Sequence, residues 1–350
     1  MNHPGLKFGI EIPPIPASEI VRLSVLGEKV GFDTVWFTDH FSGGPVTETM
    51  PELFTVMALM GHETKNVGVG SAVTDVRRRH PATVAQATAT LDGLSAGRTI
   101  LGLGAGEATN LLPVGISIKN MRARLREGIK VIRMLWNADH NHPANFHGEF
   151  YTLKDAFLQI KPVQKPNPPI YVAAYGPKML DLAGELGDGW IPFAHTPETY
   201  ISSLNKLQSS LRKYGRSLEE FSFAYAPNAT ISDDREAARM LMTPIAKTGV
   251  AIMPEQFEML LGRKHPGFEY SMAGIADLNN LTELKASIPD DTALKTVIWG
   301  TPDDCIGQIE SFVKIGCNHL IFAIRGHDLD YVIKNFAMKV IPYFRDSARR

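Results

Sequence analysis

The stretch Trp36-Phe37-Thr38-Asp39-His40-Phe41-Ser42 ends an apolar run with a carboxyl and an imidazole side by side, and the short run Leu101 to Gly106 ends in Glu107. An imidazole takes or gives a proton near neutral pH, because its unperturbed pKa is about 6.5. A carboxyl group in a partly dry pocket has its pKa raised and can donate. His40 and Glu107 are therefore the candidate proton-handling pair, and Asp39 is a candidate for holding a cofactor group or orienting its loop. The plainer alternatives are a loop histidine with local hydrogen bonds and a carboxylate that favours the helix after it. Distant side chains converge when strand after strand ends on one face, as in a barrel of parallel strands.

Other motifs are weaker. Leu101-Gly102-Leu103-Gly104-Ala105-Gly106 lacks the third glycine of a dinucleotide fingerprint and has no acidic residue at the required distance, so its glycines are read as allowing close approach to a flat ring. Ala173-Ala174-Tyr175-Gly176-Pro177-Lys178-Met179 is a better phosphate candidate, because a strand running through a glycine turn into a helix presents free N–H groups to an anion. Arg77-Arg78-Arg79-His80 either binds a polyanionic tail or forms a solvated loop. His140, His142 and His147 have mixed spacing and no nearby cysteine, so no metal site is expected. There is no Ser-His-Asp signature and no Walker-type loop, which argues against hydrolase and kinase chemistry.

The elements that must position these residues alternate as βα units. Strands are expected at Lys7–Ile12, Thr34–Thr38, Val67–Val73, Thr99–Leu103, Ile170–Ala174, Trp190–Phe193, Phe221–Ala229 and His319–Ile324. Helices are expected at Ser18–Val30, Glu52–Thr64, Ala82–Leu94, Arg122–Trp136, Met179–Leu186, Glu198–Tyr214, Asp303–Ile315 and Tyr331–Phe344. Ser18 suits an N-cap and Gly31 a C-cap. Eight strands predict a (β/α)8 TIM barrel spanning 1–350 as one domain, with insertions at about 137–169, containing part of a hairpin at Phe146 to Tyr151, and at about 240–295.

Bulk properties agree with a soluble enzyme. Hydrophobic residues make up 44% of 350, and a net charge of -1 gives no reason to expect nucleic acid or an anionic membrane as partner. Cys305 and Cys317 read as reduced thiols in a late helix-like segment. No apolar stretch approaches membrane-spanning length, and Met1 to Lys7 lacks a charged and greasy leader, so a cytoplasmic protein is expected.

Several motifs in order carry a resemblance: Phe8-Gly9-Ile10-Glu11, Thr38-Asp39-His40-Phe41, Gly104-Ala105-Gly106-Glu107, Ala174-Tyr175-Gly176-Pro177-Lys178 and Gly187-Asp188-Gly189-Trp190. Together they resemble the bacterial-luciferase-like superfamily, specifically its branch that uses the deazaflavin coenzyme F420. Glu107 after Gly-Ala-Gly, and Asn318 to Phe322 with Gly326-His327-Asp328, resemble F420-dependent glucose-6-phosphate and secondary-alcohol dehydrogenases. Phe8 to Glu11 and Gly176 to Leu180 resemble methylenetetrahydromethanopterin reductase. The sugar-phosphate enzymes carry a tryptophan where this chain has Ser42-Gly43-Gly44-Pro45, a lysine where it has Phe193-Ala194-His195-Thr196, and basic residues where Leu329-Asp330-Tyr331 stands. A phosphate dianion would lose most of its charge-assisted bonds there, which argues against glucose 6-phosphate.

The resemblance implies a hydride moved between C5 of the deazaflavin and a substrate carbon, a small-molecule substrate and a homodimer. It implies that His40 is the base for an alcohol and Glu107 the acid toward N1 of the cofactor. For a methylene-pterin, Glu11 or Glu107 would assist and His40 would mainly position. Asp39, Ser71, Ala72, Thr74, Gly104, Ala105, Gly106, Ala174, Tyr175, Gly176, Pro177, Lys178 and Met179 would surround the cofactor. A non-prolyl cis peptide behind the ring would fall at Ser71-Ala72. An FMN-dependent monooxygenase of the same superfamily is the alternative.

Overall fold

In the computed structural model, which describes residues 5–41, 49–266 and 275–347, eight parallel strands close into a barrel. They are β1 (Lys7–Ile12), β2 (Thr34–Phe37), β3 (Gly68–Ser71), β4 (Thr99–Gly104), β5 (Ile170–Val172), β6 (Gly189–Trp190), β7 (Ser222–Tyr225) and β8 (His319–Ile324). β1 pairs with both β2 and β8, Lys7 lying opposite His319, and this shuts the ring. Parallel neighbours require a crossover on the outside, and amphipathic helices supply it.

Side-chain alternation along the strands gives the barrel an interior of its own. Trp36, Ile100, Tyr171, Ile191, Ala224, Ala226 and Ile321 fill it. Trp36 fits because β3 offers glycine beside it: a Cβ on Gly70 would lie 2.2 Å from the indole. The outward-facing residues, among them Phe8, Ile10, Val35, Phe37, Leu101, Leu103, Leu320 and Phe322, pack against the helices as the main core. Each such side chain contributes roughly 1.5 to 3 kcal/mol by leaving water.

β1 and β8 lie where the sequence places them. β4 runs one residue further than expected, to Gly104, while the other strands stop short because the rim bends away to form the mouth: β3 ends at Ser71 rather than Val73, and β6 ends at Trp190 rather than Phe193. β7 ends at Tyr225, and Asn228–Ala229 resumes beside β8. The helix Ala17–Val30 is preceded by Pro16, not capped by Ser18. The Pro16 carbonyl accepts from the N–H groups of Glu19 and Ile20, which leaves Ser18 inside the first turn. Gly31 closes that helix with φ 98, as expected.

The non-prolyl cis bond joins Ala72 to Val73, one residue beyond the expected Ser71-Ala72. The Ala72 N–H still donates to the Phe37 carbonyl at 2.8 Å, so the ladder with β2 runs through Ala72 and the departure falls after it.

The first insertion carries the antiparallel pair Ala144–His147 and Thr152–Ala156. The second begins at Arg235, earlier than expected, with helices Arg235–Ala251, Pro254–Leu261, Ile275–Ala286 and Asp290–Leu294. Met242, Val250, Phe257 and Leu284 are among the residues that form its own apolar cluster. Cys305 lies in the helix Pro302–Lys314 and Cys317 in the turn before β8. Both are free, and burial pushes the Cys317 thiol up to about 12.

Candidate active site

His40 follows β2 and Glu107 follows β4, and the barrel brings them together: His40 Nδ1 lies 3.4 Å from Glu107 Oε2. Asn110, three residues beyond Glu107 in the short helix Ala108–Leu111, stands between them. Its Nδ2 donates to His40 Nδ1 at 3.0 Å and to Glu107 Oε2 at 3.3 Å. Its Oδ1 accepts from the Phe41 N–H at 2.7 Å, which fixes which end of the amide faces the ring. With Nδ1 accepting, the neutral imidazole carries its proton on Nε2. Glu107 occupies the N-cap position of that helix without capping it, so its carboxylate is committed to the site rather than to helix stability. At 62% exposure it is wetter than the partly dry pocket the sequence suggests, because the short helix holds it at the rim.

Asp39 is buried beneath this pair. Thr74 Oγ1 donates to its Oδ2 at 2.6 Å, and the Arg78 and Arg79 guanidinium groups reach the same oxygen at 2.8 and 2.7 Å. Arg78 also holds Asp75 at 2.7 Å. Two of the three adjacent arginines are thus neither a polyanion site nor a solvated loop. They turn inward to neutralise carboxylates, since an unpaired buried charge costs several kcal/mol. Glu11 ends β1 on the inner face, and burial raises its carboxyl while Arg325 and His40 pull it down.

The family profile for luciferase-like monooxygenases matches residues 4–319. The chain belongs to this family. A relative from Amycolatopsis mediterranei, an F420-dependent glucose-6-phosphate dehydrogenase, is 32% identical, covering 93% of this chain and 94% of that one. The 5,10-methylenetetrahydromethanopterin reductase of Archaeoglobus fulgidus is 29% identical over 96% and 99%. A solved F420-dependent secondary alcohol dehydrogenase, in complex with an F420-acetone adduct, superposes with a TM-score of 0.84 at 28% identity, covering 97% and 99%.

The luciferase-like barrel of this chain also holds the turn Tyr175-Gly176-Pro177-Lys178. The helix after β5 spans Gly176–Leu186 and starts three residues earlier than expected, because Gly176 with φ 66 makes the turn and Pro177 suits the first helical turn. The N–H groups of the first helical turn have no partners within the helix, Pro177 carrying none, and Lys178 beside them is exposed. A phosphate-bearing cofactor fits this donor set, and glycine leaves the space that a side chain would fill.

Not every predicted contact residue is free to meet a ligand. The Ser71 hydroxyl is spent on the N–H and carbonyl of Gly102, at 2.8 and 3.0 Å, and Thr74 on Asp39. The Ala174 carbonyl accepts from Trp190 Nε1. Gly102 and Gly104 are needed for chain-to-chain packing, since Cβ atoms there would lie 1.9 Å from the Ser71 carbonyl oxygen and 2.9 Å from Val73. Gly106 instead supplies a left-handed turn, with φ 94. Ala72 and Ala105 border the mouth as half-buried residues, and Met179 packs on the core.

Reading the sequence alone missed Asn110, Arg325, His195 as a buried group and Gln256. His195 stacks on Tyr175 at 6.0 Å, shares a proton with Thr199 Oγ1 at 3.0 Å and meets Gln256 Nε2 at 3.1 Å. Burial drives its pKa down to about 3, so the ring is neutral. Asn110 was findable from its spacing to Glu107; Gln256 was not, because nothing in the sequence says where an insertion folds back. Ser42-Gly43-Gly44-Pro45 lies outside the described residues. Among those described, no group of three or more histidine, cysteine or acidic side chains is placed to hold a metal, and no helix is long and apolar enough to cross a membrane.

Proposed function

We propose that this protein is a coenzyme F420-dependent oxidoreductase that moves a hydride between C5 of the deazaflavin and a substrate carbon, with a secondary alcohol or its ketone favoured over a sugar phosphate. The observation that carries the reading is the Asn110 bridge, which gives His40 a proton at Nε2 and ties its other nitrogen to Glu107. Relatives named for F420 over nearly the full chain length support the cofactor.

The deazaflavin, when bound, supplies the carbon that gives or accepts hydride. His40 Nε2–H donates to a carbonyl oxygen in the mouth and stabilises the alkoxide as it forms. In the opposite direction the ring acts as base from its other tautomer: the proton sits on Nδ1, facing Glu107 Oε2 at 3.4 Å, the free Nε2 takes the hydroxyl proton, and Glu107 stabilises the resulting cation. Asp39, fixed by Thr74, Arg78 and Arg79, sets the position of the His40 loop. The turn at Gly176 to Met179 holds the cofactor phosphate, and the backbone at Ala72 and Gly104 to Gly106 borders its ring. Glu11 would assist a substrate that enters on the β1 side, as a methylene-pterin reductase requires.

Where the sugar-phosphate enzymes are expected to have lysine, Phe193-Ala194-His195-Thr196 offers no cation, since His195 is neutral, and this speaks against a phosphate dianion. We read the chain as one barrel domain whose insertions cap the mouth, and as a cytoplasmic homodimer acting on a small molecule. Incubating the protein with oxidised and reduced F420 and a panel of secondary alcohols, glucose 6-phosphate and methylenetetrahydromethanopterin tests this. Bleaching of the cofactor band with an alcohol is the expected result; no change with any of the three overturns the reading.

A further inference from the structure

The turn that opens the helix Gly176–Leu186 is overlooked by the second insertion. A Cβ built on Gly176 meets the Glu255 side chain, with Oε1 at 3.6 Å and Cγ at 3.9 Å. Glu255 is exposed, and its charge, like that of Glu107, reaches the Tyr175 phenol just before the turn. The residues after it hold the helix Pro254–Leu261 in place. Gln256 is 1% exposed and bonded to His195, and Phe257 is fully buried in the insertion's apolar cluster. The backbone is therefore anchored while one carboxylate lies against Gly176, where the helix with its unpaired first N–H groups begins.

We propose that Glu255 is a cofactor-selecting residue that disfavours a phosphomonoester at this turn relative to a phosphodiester. This rests on the reading that Gly176 to Met179 seat the cofactor's phosphate. A phosphomonoester carries about -1.5 to -2 charges at neutral pH, whereas a phosphodiester carries one. Repulsion from one fixed carboxylate grows in proportion to the ligand's charge. If removing the carboxylate strengthens a singly charged ligand about threefold, it strengthens a doubly charged one by the square, about tenfold. The FMN phosphate is a monoester and the F420 phosphate a diester, the other charges of F420 lying on its glutamate tail, so Glu255, acting at the phosphate, tilts the site toward F420 without touching either ring. By the same proportionality the favourable field of the helix N-terminus pulls harder on the monoester, so Glu255 opposes that preference, and its share is read from the difference between wild type and variant.

The test is equilibrium binding, read by fluorescence titration of the full chain at low salt. Wild type and Glu255→Gln are each titrated with F420, FMN, riboflavin and the phosphate-free deazaflavin core of F420. Glu255→Gln should tighten FMN about tenfold and F420 about threefold, leave the two phosphate-free ligands unchanged, and lose these gains as salt is raised. Glu255→Asp, which keeps the charge, should hold the wild-type ranking and controls for local damage. Equal changes for all four ligands, or an unchanged FMN affinity in folded Glu255→Gln, overturn the proposal while F420 binding by wild type leaves the functional reading standing. Wild type that binds neither F420 nor FMN overturns both.

Discussion

His40 and Glu107 meet at 3.4 Å with the amide of Asn110 bonded to both. The imidazole is held by an amide that is itself held by the Phe41 N–H, so the direction of the proton path is set by a backbone group next to the histidine.

Replacing His40 with Ala removes the group we propose gives or takes the substrate proton. Turnover should fall by about two to four orders of magnitude while F420 affinity stays nearly constant. Steady-state rates and a fluorescence titration on the same preparation check it, and undiminished turnover would remove His40 from the mechanism.

Asn110→Asp keeps the acceptor for the Phe41 N–H but puts a second carboxylate beside Glu107 and His40. The imidazole should then bind its proton more tightly, shifting the pH–rate profile of alcohol oxidation to higher pH and lowering the rate at neutral pH about tenfold or more. A profile that coincides with wild type would mean that Asn110 does not control the ring.

His195 and His319 are both driven down to about 3 by burial, His319 beside Thr34 and Tyr171 inside the barrel. Their unfolded values lie near 6.5, so the unfolded chain binds more protons between about pH 3 and 6.5. Their contribution is complete above about pH 6.5 and is lost as pH falls toward 3, at roughly 2 kcal/mol per ring by pH 5. Urea unfolding at pH 7 and pH 5 should show this loss, and His195→Gln with His319→Gln should flatten the slope. An equal slope in the double variant would refute the assignment.

Gly102→Ala would place a methyl group 1.9 Å from the Ser71 carbonyl oxygen, a backbone atom that cannot step aside. We expect a loss of about 3 kcal/mol or more, seen as a fall in Tm. Gly93→Ala, in the helix Pro81–Leu94 with open space around it, should be neutral or stabilising by up to about 1 kcal/mol. A melting curve for Gly102→Ala that matches wild type would disprove the close approach.

The sequence was informative where one physical rule acted alone. β1 and β8 were legible as whole strands, because unbroken β-rich runs between turn residues leave no competing reading. Gly31 was legible as a helix end, since a left-handed residue there favours glycine. Pro16 displaced Ser18 because local capping preference was outweighed by the path the chain takes out of β1. The cis bond fell one residue late because its place depends on how far β3 stays paired with β2, a long-range quantity.

The catalytic pair shows the same division. Residue types and strand ends in the sequence by themselves selected His40 and Glu107, the family resemblance added Glu11, and the alternation of elements pointed to a parallel barrel that would carry them. Only the tertiary structure decided that Asn110 orients the ring, that Arg78 and Arg79 serve buried carboxylates, that Arg325 faces Glu11, and that Glu255 reaches the turn at Gly176. Local sequence encodes periodicity and turn chemistry, whereas these contacts join residues far apart along the chain, and their partners exist only once the ring has closed.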